Sequence, residues 1–298
     1  MPSIATSLAV VGATGAGLAL LRGVLHRGIR AGLAAPRIPH DRTPAALGLA
    51  FETVRIGTAN RRHLHGWLIP PAGGAGAPHP AVIVMHGWGG DAAMMLPLAR
   101  PLHDAGFAAL FIDARCHGGS DDDGFASLPR FAEDLEHAVD WLAARPEVDA
   151  GRIALLGHSV GAGAALLVAS RRPDVTAVAS VAAFSHPASM MRRWLATKRI
   201  PEWPVGRYVL HYVQRTIGHR FDDIAPVNTI ARVRCPVLLV HGADDDVVPL
   251  DDAHRIFAAR QHDAVGLLVL SGRHDSFADL EQHMERLVGF LRTATAPR

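Results

Sequence analysis

The chain contains 298 residues, of which 49% are hydrophobic and 19% are charged, so it is long enough for one large α/β domain or two small ones. Its 30 basic and 28 acidic side chains give a formal net charge of +2, which is too close to balance for a nucleic-acid-binding protein. The two cysteines, Cys116 and Cys235, are too few for a disulfide-stapled domain or a four-cysteine zinc site.

The first predicted element is an uncharged segment from Ser3 to Leu21, which is just long enough to span a bilayer core about 30 Å thick. Its many Ala, Gly, Ser and Thr residues make insertion marginal, so a membrane anchor and a soluble helix packed on the domain both stay open. Three arginines follow within residues 22–30, and the positive-inside rule would keep the rest of the chain on the cytoplasmic side. We therefore expect residues 1–45 to form a hydrophobic helix and a linker, and residues 46–298 to form the main domain.

Eight short apolar runs predict the strands of one sheet. The first two suit an antiparallel pair, whereas the others alternate with helical stretches, which is typical of a mostly parallel sheet with helices on both faces. The predicted strands are residues 51–58, 63–70, Ala81–Met85, Phe107–Asp113, Arg152–Leu156, Val175–Ala183, Pro236–His241 and Val265–Leu270. The predicted helices are Ala92–Asp104, Leu128–Ala144, Val160–Ser170, Leu250–Gln261 and Ser276–Thr293.

About fifty residues separate the sixth and seventh predicted strands, which is far more than one crossover helix needs. Residues 185–230 are therefore predicted to form a helical insertion that covers the carboxyl edge of the sheet as a lid. Between His186 and Arg220 this segment has seven basic side chains and one acidic side chain, Glu202. A basic, aromatic lid suits amphipathic acyl substrates or an anionic lipid surface, and a solvated charged face explains the same composition equally well.

A G-x-S-x-G run follows the fifth predicted strand, at the sheet edge where open α/β sheets bind ligands. It reads Gly157-His158-Ser159-Val160-Gly161 and is followed by an Ala-rich helical stretch. Glycines at the flanking positions allow a tight strand-to-helix turn, which exposes the serine hydroxyl as a nucleophile. The alternative interpretation is a serine that caps a buried helix.

Two more polar loops follow the last two predicted strands. The first contains Asp244, Asp245 and Asp246, and the second contains His274. The carboxyl ends of parallel strands meet at one edge of a sheet, so an acid and a histidine from these loops are expected near Ser159. The chain order is thus serine, acid, histidine.

The loop after the third predicted strand reads His86-Gly87-Trp88-Gly89-Gly90. Its glycines leave backbone N–H groups able to approach a negatively charged oxygen. The N–H of Trp88 and that of Val160, directly after the serine, are the predicted oxyanion donors. A flexible turn that starts a helix is the alternative for this loop.

With these motifs in this order, the sequence resembles the α/β-hydrolase superfamily, and within it the serine esterases and prolyl-oligopeptidase-like enzymes, over residues 51–293. The resemblance implies an α/β-hydrolase fold, in which a mostly parallel eight-stranded sheet has helices on both faces and a helical lid insertion. Family sequences commonly read H-G-x-x-D-x-x-V-P at the acid loop, which implies Asp245 as the acid rather than Asp244 or Asp246. The implied catalytic residues are Ser159, Asp245 and His274.

The segment Asp113–Asp121 is similar to the family's D-x-R-G-H-G-x-S, except that Cys116 stands where glycine is usual. Neighbours in sequence seldom have the geometry for a thiol mechanism, so Cys116 beside His117 is predicted to be structural. None of the 18 histidines shows H-E-x-x-H or a comparable zinc-ligand spacing, so neither a metal nor a cofactor is predicted. Orienting or packing roles are predicted for the three histidines inside the motifs, His86, His158 and His241.

The predicted reaction is hydrolysis of a carboxylic ester or thioester through an acyl-enzyme, with a small-molecule acyl substrate as the binding partner. A serine peptidase or an acyltransferase on the same three residues is the alternative within enzymes. A non-catalytic binding protein on the same fold is the alternative of another class. A membrane surface stays open as a second partner, and the sequence predicts no oligomeric state.

Overall fold

The computed structural model describes residues 22–73, 78–275 and 283–297, together with Leu20. Its strands are β1 (Glu52–Thr58), β2 (Arg62–Ile69), β3 (His79–Met85), β4 (Ala108–Ile112), β5 (Val148–His158), β6 (Val175–Val181), β7 (Val237–Gly242) and β8 (Val265–Leu270). They form one sheet in the order β1-β2-β4-β3-β5-β6-β7-β8. The β1–β2 and β2–β4 pairs are antiparallel and every other pair is parallel, which confirms the predicted sheet.

The helices are α1 (residues 22–32), α2 (Ala99–Asp104), α3 (Leu128–Ala143), α4 (Val160–Ala169), α5 (Pro187–Thr197), α6 (Arg207–Ile217), α7 (Phe221–Ile224), α8 (Pro226–Thr229), α9 (Leu250–Ala258) and α10 (Met284–Ala294). Shorter turns of 3-10 helix occur at Pro44–Leu47, Ala59–Arg61, Ala92–Leu98 and Ile230–Arg232, and a π-helical turn at Glu202–Gly206. Helices α3 and α4 bury one face of the sheet, and α2 and α10 bury the other. Helices on both faces are therefore confirmed.

Core side chains alternate along the central strands because successive residues of a strand point to opposite faces. Ile83 and Leu155 belong to the buried cluster beneath α3 and α4. Their neighbours Val84 and Leu156 belong to the cluster beneath α2 and α10. Near-continuous apolar runs are therefore the expected sequences for these doubly covered strands.

The prediction of one helix over Ala92–Asp104 is wrong. A 3-10 turn occupies Ala92–Leu98 and the α-helix begins only at Ala99. Pro97 lies inside the turn, where it has no N–H to donate and its ring disfavours a regular α-helix. Of the predicted helix Ser276–Thr293, residues 276–282 lie outside the described part of the chain, and α10 accounts for the rest.

Between β6 and β7 the chain forms α5 to α8, so the long insertion is helical as predicted. The uncharged segment Ser3–Leu21 lies outside the described residues, apart from Leu20. Among the helices that the structure describes, none combines the length and the hydropathy needed to cross a bilayer.

Candidate active site

Ser159 is the single residue between β5 and α4. Its backbone has φ 53° and ψ −113°, a conformation that residues with a Cβ rarely adopt. Two hydrogen bonds hold the turn, because the Ser159 N–H donates to the Val181 carbonyl at 2.8 Å and its carbonyl accepts from the Gly163 N–H at 3.1 Å. The sheet and the helix together therefore fix the position of the Ser159 side chain.

The glycines around Ser159 are required by close backbone contacts. A Cβ on Gly157 would overlap the Gly161 carbonyl, and a Cβ on Gly161 would overlap the His86 carbonyl. Both obstacles are backbone atoms, which cannot move aside as a flexible side chain can. The sequence pattern G-x-S-x-G is thus the pattern that this crossing of β3, β5 and α4 demands.

We expect the Gly161→Ala variant to lose about 1–3 kcal/mol of unfolding free energy, because the added methyl group forces the turn away from the β3 loop. Gly289→Ala is the matched control, since a Cβ there meets no atom within 4 Å and Gly289 lies inside α10. That variant should gain up to about 1 kcal/mol from helix propensity. Urea unfolding measures both, and equal effects of the two substitutions would contradict the packing argument.

The structure brings Ser159, His274 and Asp245 together, although 115 residues separate the serine from the histidine. His274 Nε2 lies 3.0 Å from Ser159 Oγ, and His274 Nδ1 lies 2.8 Å from Asp245 Oδ2. The side chains of His274 and Asp245 are 8% and 0% exposed. A proton can therefore pass from the hydroxyl to the imidazole while the buried carboxylate faces the opposite ring nitrogen.

The Asp245 carboxylate is held by hydrogen bonds on both of its oxygens. Oδ1 accepts from the N–H groups of Val247 (2.9 Å) and Val248 (2.7 Å), and Oδ2 contacts His274. Burial alone would raise the pKa of Asp245, but its bonds to His274 and to the Val248 N–H outweigh burial and lower it. Asp245 is thus ionised at neutral pH, as a group that orients an imidazole must be.

The three histidines inside the motifs each contact a backbone carbonyl or N–H group. His158 Nε2 lies 2.9 Å from the His274 carbonyl, and His241 Nε2 lies 2.8 Å from the Val248 carbonyl. His86 Nε2 accepts a hydrogen bond from the Ala114 N–H at 3.0 Å. Burial lowers the pKa values of His86 and His158 to about 4, so both rings are neutral at pH 7. These contacts orient the loops that carry the site.

The loop after β3 lies against Ser159. The N–H groups of Gly89 and Gly90 already have acceptors within the protein, at 3.1 Å and 3.2 Å. The Trp88 N–H has no hydrogen-bond acceptor among the described residues. Val160 begins α4, and the first N–H groups of a helix have no partner inside it. The N–H groups of Trp88 and Val160 are therefore both without an acceptor in the described part of the chain.

Sequence reasoning missed a buried cluster around Asp113, at the end of β4. Asp113 Oδ2 lies 2.8 Å from His40 Nε2 and 3.2 Å from His65 Nδ1, and it accepts from the Gly119 N–H at 2.8 Å. Oδ1 accepts from the Ala92 N–H at 2.7 Å. Burial alone would raise the pKa of Asp113, but the hydrogen bonds from the two histidines hold it well below its usual range. No motif links the three segments in the sequence.

We expect Asp113→Asn to lose about 1–3 kcal/mol of unfolding free energy near neutral pH, because a buried charged acceptor is removed. A lowered pKa in the folded state stabilises the protein above the unfolded-state pKa of about 4, and this stabilisation decreases as the pH falls below it. The difference between wild type and variant should therefore shrink in acid. Urea unfolding across that pH range tests this, with Asp104→Asn as the control at an exposed carboxylate of α2. A constant difference would contradict it.

Two groups of side chains in the described residues could offer three ligand atoms to a metal ion. They are His40 with His65 and Asp113, and His158 with His274 and Asp275. In the first group both imidazoles already contact the carboxylate, and in the second His274 already contacts Ser159 and Asp245. Hydrogen bonding accounts for the first arrangement and for the position of His274 in the second, whereas the exposed Asp275 lies 4.0 Å from His158.

Cys116 adopts the left-handed conformation, with φ 68°, that favours the glycine usual at this position. Its sulfur accepts from the Asp123 N–H at 3.2 Å, and burial raises the pKa of the thiol, which disfavours the thiolate. Cys116 and Cys235 are both free. The geometry agrees with a structural role for this loop.

This chain is similar to a hydrolase family, to proteins of other organisms and to solved esterase structures. A family described as serine aminopeptidase, S33, matches residues 76–221. An uncharacterized protein of Mycobacterium tuberculosis is 33% identical over 219 residues, which cover 70% of this chain and 67% of that protein. An alpha/beta hydrolase domain-containing protein of Arabidopsis thaliana is 26% identical over 70% of this chain and 66% of its own. An esterase structure from Pyrococcus furiosus superposes with a TM-score of 0.71 at 23% identity, over 88% of this chain and 100% of its own.

Proposed function

Since this chain belongs to the α/β-hydrolase superfamily, we propose that it is a serine hydrolase that cleaves a carboxylic ester or thioester through an acyl-enzyme. One observation carries the proposal: Ser159 Oγ, both ring nitrogens of His274 and the Asp245 carboxylate form a continuous chain of contacts at 3.0 Å and 2.8 Å. A helix-capping serine needs no such histidine, so the arrangement favours the nucleophile over the capping interpretation.

In this proposal His274 Nε2 takes the proton of the Ser159 hydroxyl as its oxygen attacks the substrate carbonyl carbon. Asp245 holds the proton of His274 on Nδ1 and stabilises the imidazolium that forms. The N–H groups of Trp88 and Val160 donate to the oxyanion of the tetrahedral intermediate. His274 then protonates the departing alcohol or thiol, and a water molecule repeats the sequence to release the acid.

Labelling with a fluorophosphonate probe tests the proposed nucleophile, because such probes phosphonylate an activated serine. Mass spectrometry of the digested adduct should place the label on Ser159. A panel of esters and thioesters of increasing acyl length would then identify the leaving group and the acyl preference. Labelling at another residue, or no labelling and no turnover, would refute the proposal and favour a non-catalytic binding protein.

A serine aminopeptidase is the second candidate, because the matching family carries that description. The same three side chains can open a peptide bond, so aminoacyl amides and short peptides belong in the substrate panel. Efficient cleavage of aminoacyl amides and peptides, with hydrolysis of simple alkyl esters much weaker, would favour the peptidase. Transfer of the acyl group to an added alcohol would instead favour an acyltransferase.

We propose further that residues 185–230 act as a lid and that residues 1–45 form an N-terminal helix and linker ahead of the catalytic domain. Arg193 on α5 supports a fixed position for the lid, because it donates to the buried Asp252 of α9 at 2.7 Å. Comparing the acyl-length profile of the Arg193→Gln variant, which loses this contact, with that of wild type tests the lid. The feature of residues 3–21 that favours a membrane tether is their uncharged length, and fractionation of the full chain tests it.

A further inference from the structure

A cleft of about 460 Å³ lies between α1 and α6, away from Ser159. Arg22, His26 and Arg30 recur every fourth residue of α1 and therefore share one face of that helix. His211 and Arg215 recur in the same way on α6 and line the opposite wall. Two helix faces rich in basic side chains thus meet at one cleft.

The positive charge of this cleft is uncompensated. Among the residues that the structure describes, no carboxylate lines the cleft, and Arg22, Arg30 and Arg215 have no carboxylate partner. Elsewhere in the insertion Arg192 does have one, since it donates to Glu202 at 3.0 Å. Like charges on two apposed helices repel each other, so an anion between them would stabilise the contact.

Two tyrosines of α6 hold the basic groups of α1 in place. The His26 ring stacks on Tyr212 with centroids 3.9 Å apart, and its Nε2 lies 2.6 Å from the Tyr208 hydroxyl. Arg30 Nε donates to the Tyr212 hydroxyl at 3.0 Å, which leaves its terminal nitrogens for another acceptor. Desolvation and the charges of Arg22 and Arg30 lower the pKa of His26, in keeping with the positive potential here. The cleft is thus organised before any ligand arrives.

We propose that this cleft binds a phosphate group, carried either by the headgroup of an anionic phospholipid or by a soluble phosphorylated molecule. Arginine guanidinium groups match phosphate oxygens with paired, charge-assisted hydrogen bonds. The volume of about 460 Å³ exceeds that of a phosphate ion and falls in the range of small-ligand sites, so the group that carries the phosphate fits as well. The proposal is independent of the hydrolase proposal, because no residue of the cleft contacts Ser159, His274 or Asp245.

The sequence gives the lipid source a specific rationale. The uncharged segment Ser3–Leu21 directly precedes the first arginine of the cleft. Val24 on α1 and Trp203 before α6 are 63% and 71% exposed, and apolar and aromatic side chains of this kind suit a bilayer interface. A phosphate at the surface of an anionic leaflet would then lie at the height of the cleft.

The test uses the full chain with two probes. Calorimetric titration at constant ionic strength measures the binding of inorganic phosphate. Sedimentation measures binding to phosphatidylcholine vesicles with and without phosphatidic acid. Arg30→Gln and Arg215→Gln should each weaken phosphate binding about tenfold or more, since each removes a charge-assisted contact. Arg27→Gln on α1 and Arg207→Gln on α6 remove the same charge outside the cleft and should change the dissociation constant less than about twofold.

Arg30→Lys and Arg215→Lys keep the charge and should keep part of the affinity, which separates loss of charge from loss of fold. Melting temperatures of all variants check that α1 stays docked. Cleft-dependent binding of both probes supports the phosphate site for either source, and binding of phosphate alone supports the site with a soluble ligand. Cleft-dependent binding of phosphatidic acid vesicles alone supports a lipid headgroup. Binding of neither probe, or equal losses in the variants outside the cleft, overturns the proposal.

Discussion

Replacing Ser159 by alanine is expected to lower the rate of ester hydrolysis by about 10⁴–10⁶-fold and to abolish fluorophosphonate labelling. The variant loses the hydroxyl that lies 3.0 Å from His274 Nε2, while the backbone turn keeps its hydrogen bonds to Val181 and Gly163. Far-ultraviolet circular dichroism and the melting temperature should stay close to those of wild type. Single-turnover and steady-state rates with one activated ester measure the loss.

Ser180 offers a matched control for this substitution. It is a buried serine of β6 that pairs with Gly157 in the sheet, and its hydroxyl has no hydrogen-bond partner among the described residues. Ser180→Ala also removes a serine hydroxyl, but on the strand next to β5 and not in the turn at Ser159. The rate of ester hydrolysis by this variant should stay within about twofold of wild type. If Ser159→Ala retained turnover while Ser180→Ala lost it, the proposed nucleophile would be rejected.

The parts of the fold that the sequence predicts well are those where one physical rule dominates. Doubly covered parallel strands must be apolar on both sides, so runs such as Ala81–Met85 predict β3 closely. The turn at Ser159 tolerates only glycine at positions 157 and 161, so its motif is visible without a structure. The ends of strands are harder to predict. Strand β6 ends two residues before its predicted end, because Ala182 adopts φ 55° and turns the chain, and alanine is not a residue typical of turns.

The contacts that the sequence does not predict join segments with no shared motif. His40 and His65 meet at Asp113 only because β2 pairs with β4 and the segment after α1 crosses their edge. The cleft between α1 and α6 likewise depends on how two helices dock, which neither helix encodes alone. Periodicity shows that Arg22, His26 and Arg30 share a face, but it does not show what that face meets. Chemistry built across elements therefore needs the structure, whereas chemistry built within one turn does not.

Asp244, Asp245 and Asp246 are consecutive, so the sequence alone does not show which of them is the acid of the site. Only the resemblance to the family motif pointed to Asp245. Only Asp245 contacts His274, and Asp246 instead lies 3.4 Å from Arg273 at the surface. We expect Asp245→Asn to lower kcat/KM by about 10⁴-fold at neutral pH. Its amide oxygen can keep the N–H bonds of Val247 and Val248, so the NH₂ group would face His274 Nδ1.

That orientation forces Nδ1 of His274 to accept a hydrogen bond and moves the ring proton to Nε2, where it prevents His274 from taking the proton of Ser159. Asp244→Asn and Asp246→Asn change the neighbouring carboxylates in the same way and should keep kcat/KM within about twofold of wild type. Initial rates with one ester at several pH values compare the three variants. If Asp246→Asn lost activity and Asp245→Asn kept it, Asp246 would be the acid in place of Asp245. The carboxylate would then have to reach His274 from the exposed side of the loop, contrary to the 2.8 Å contact made by buried Asp245.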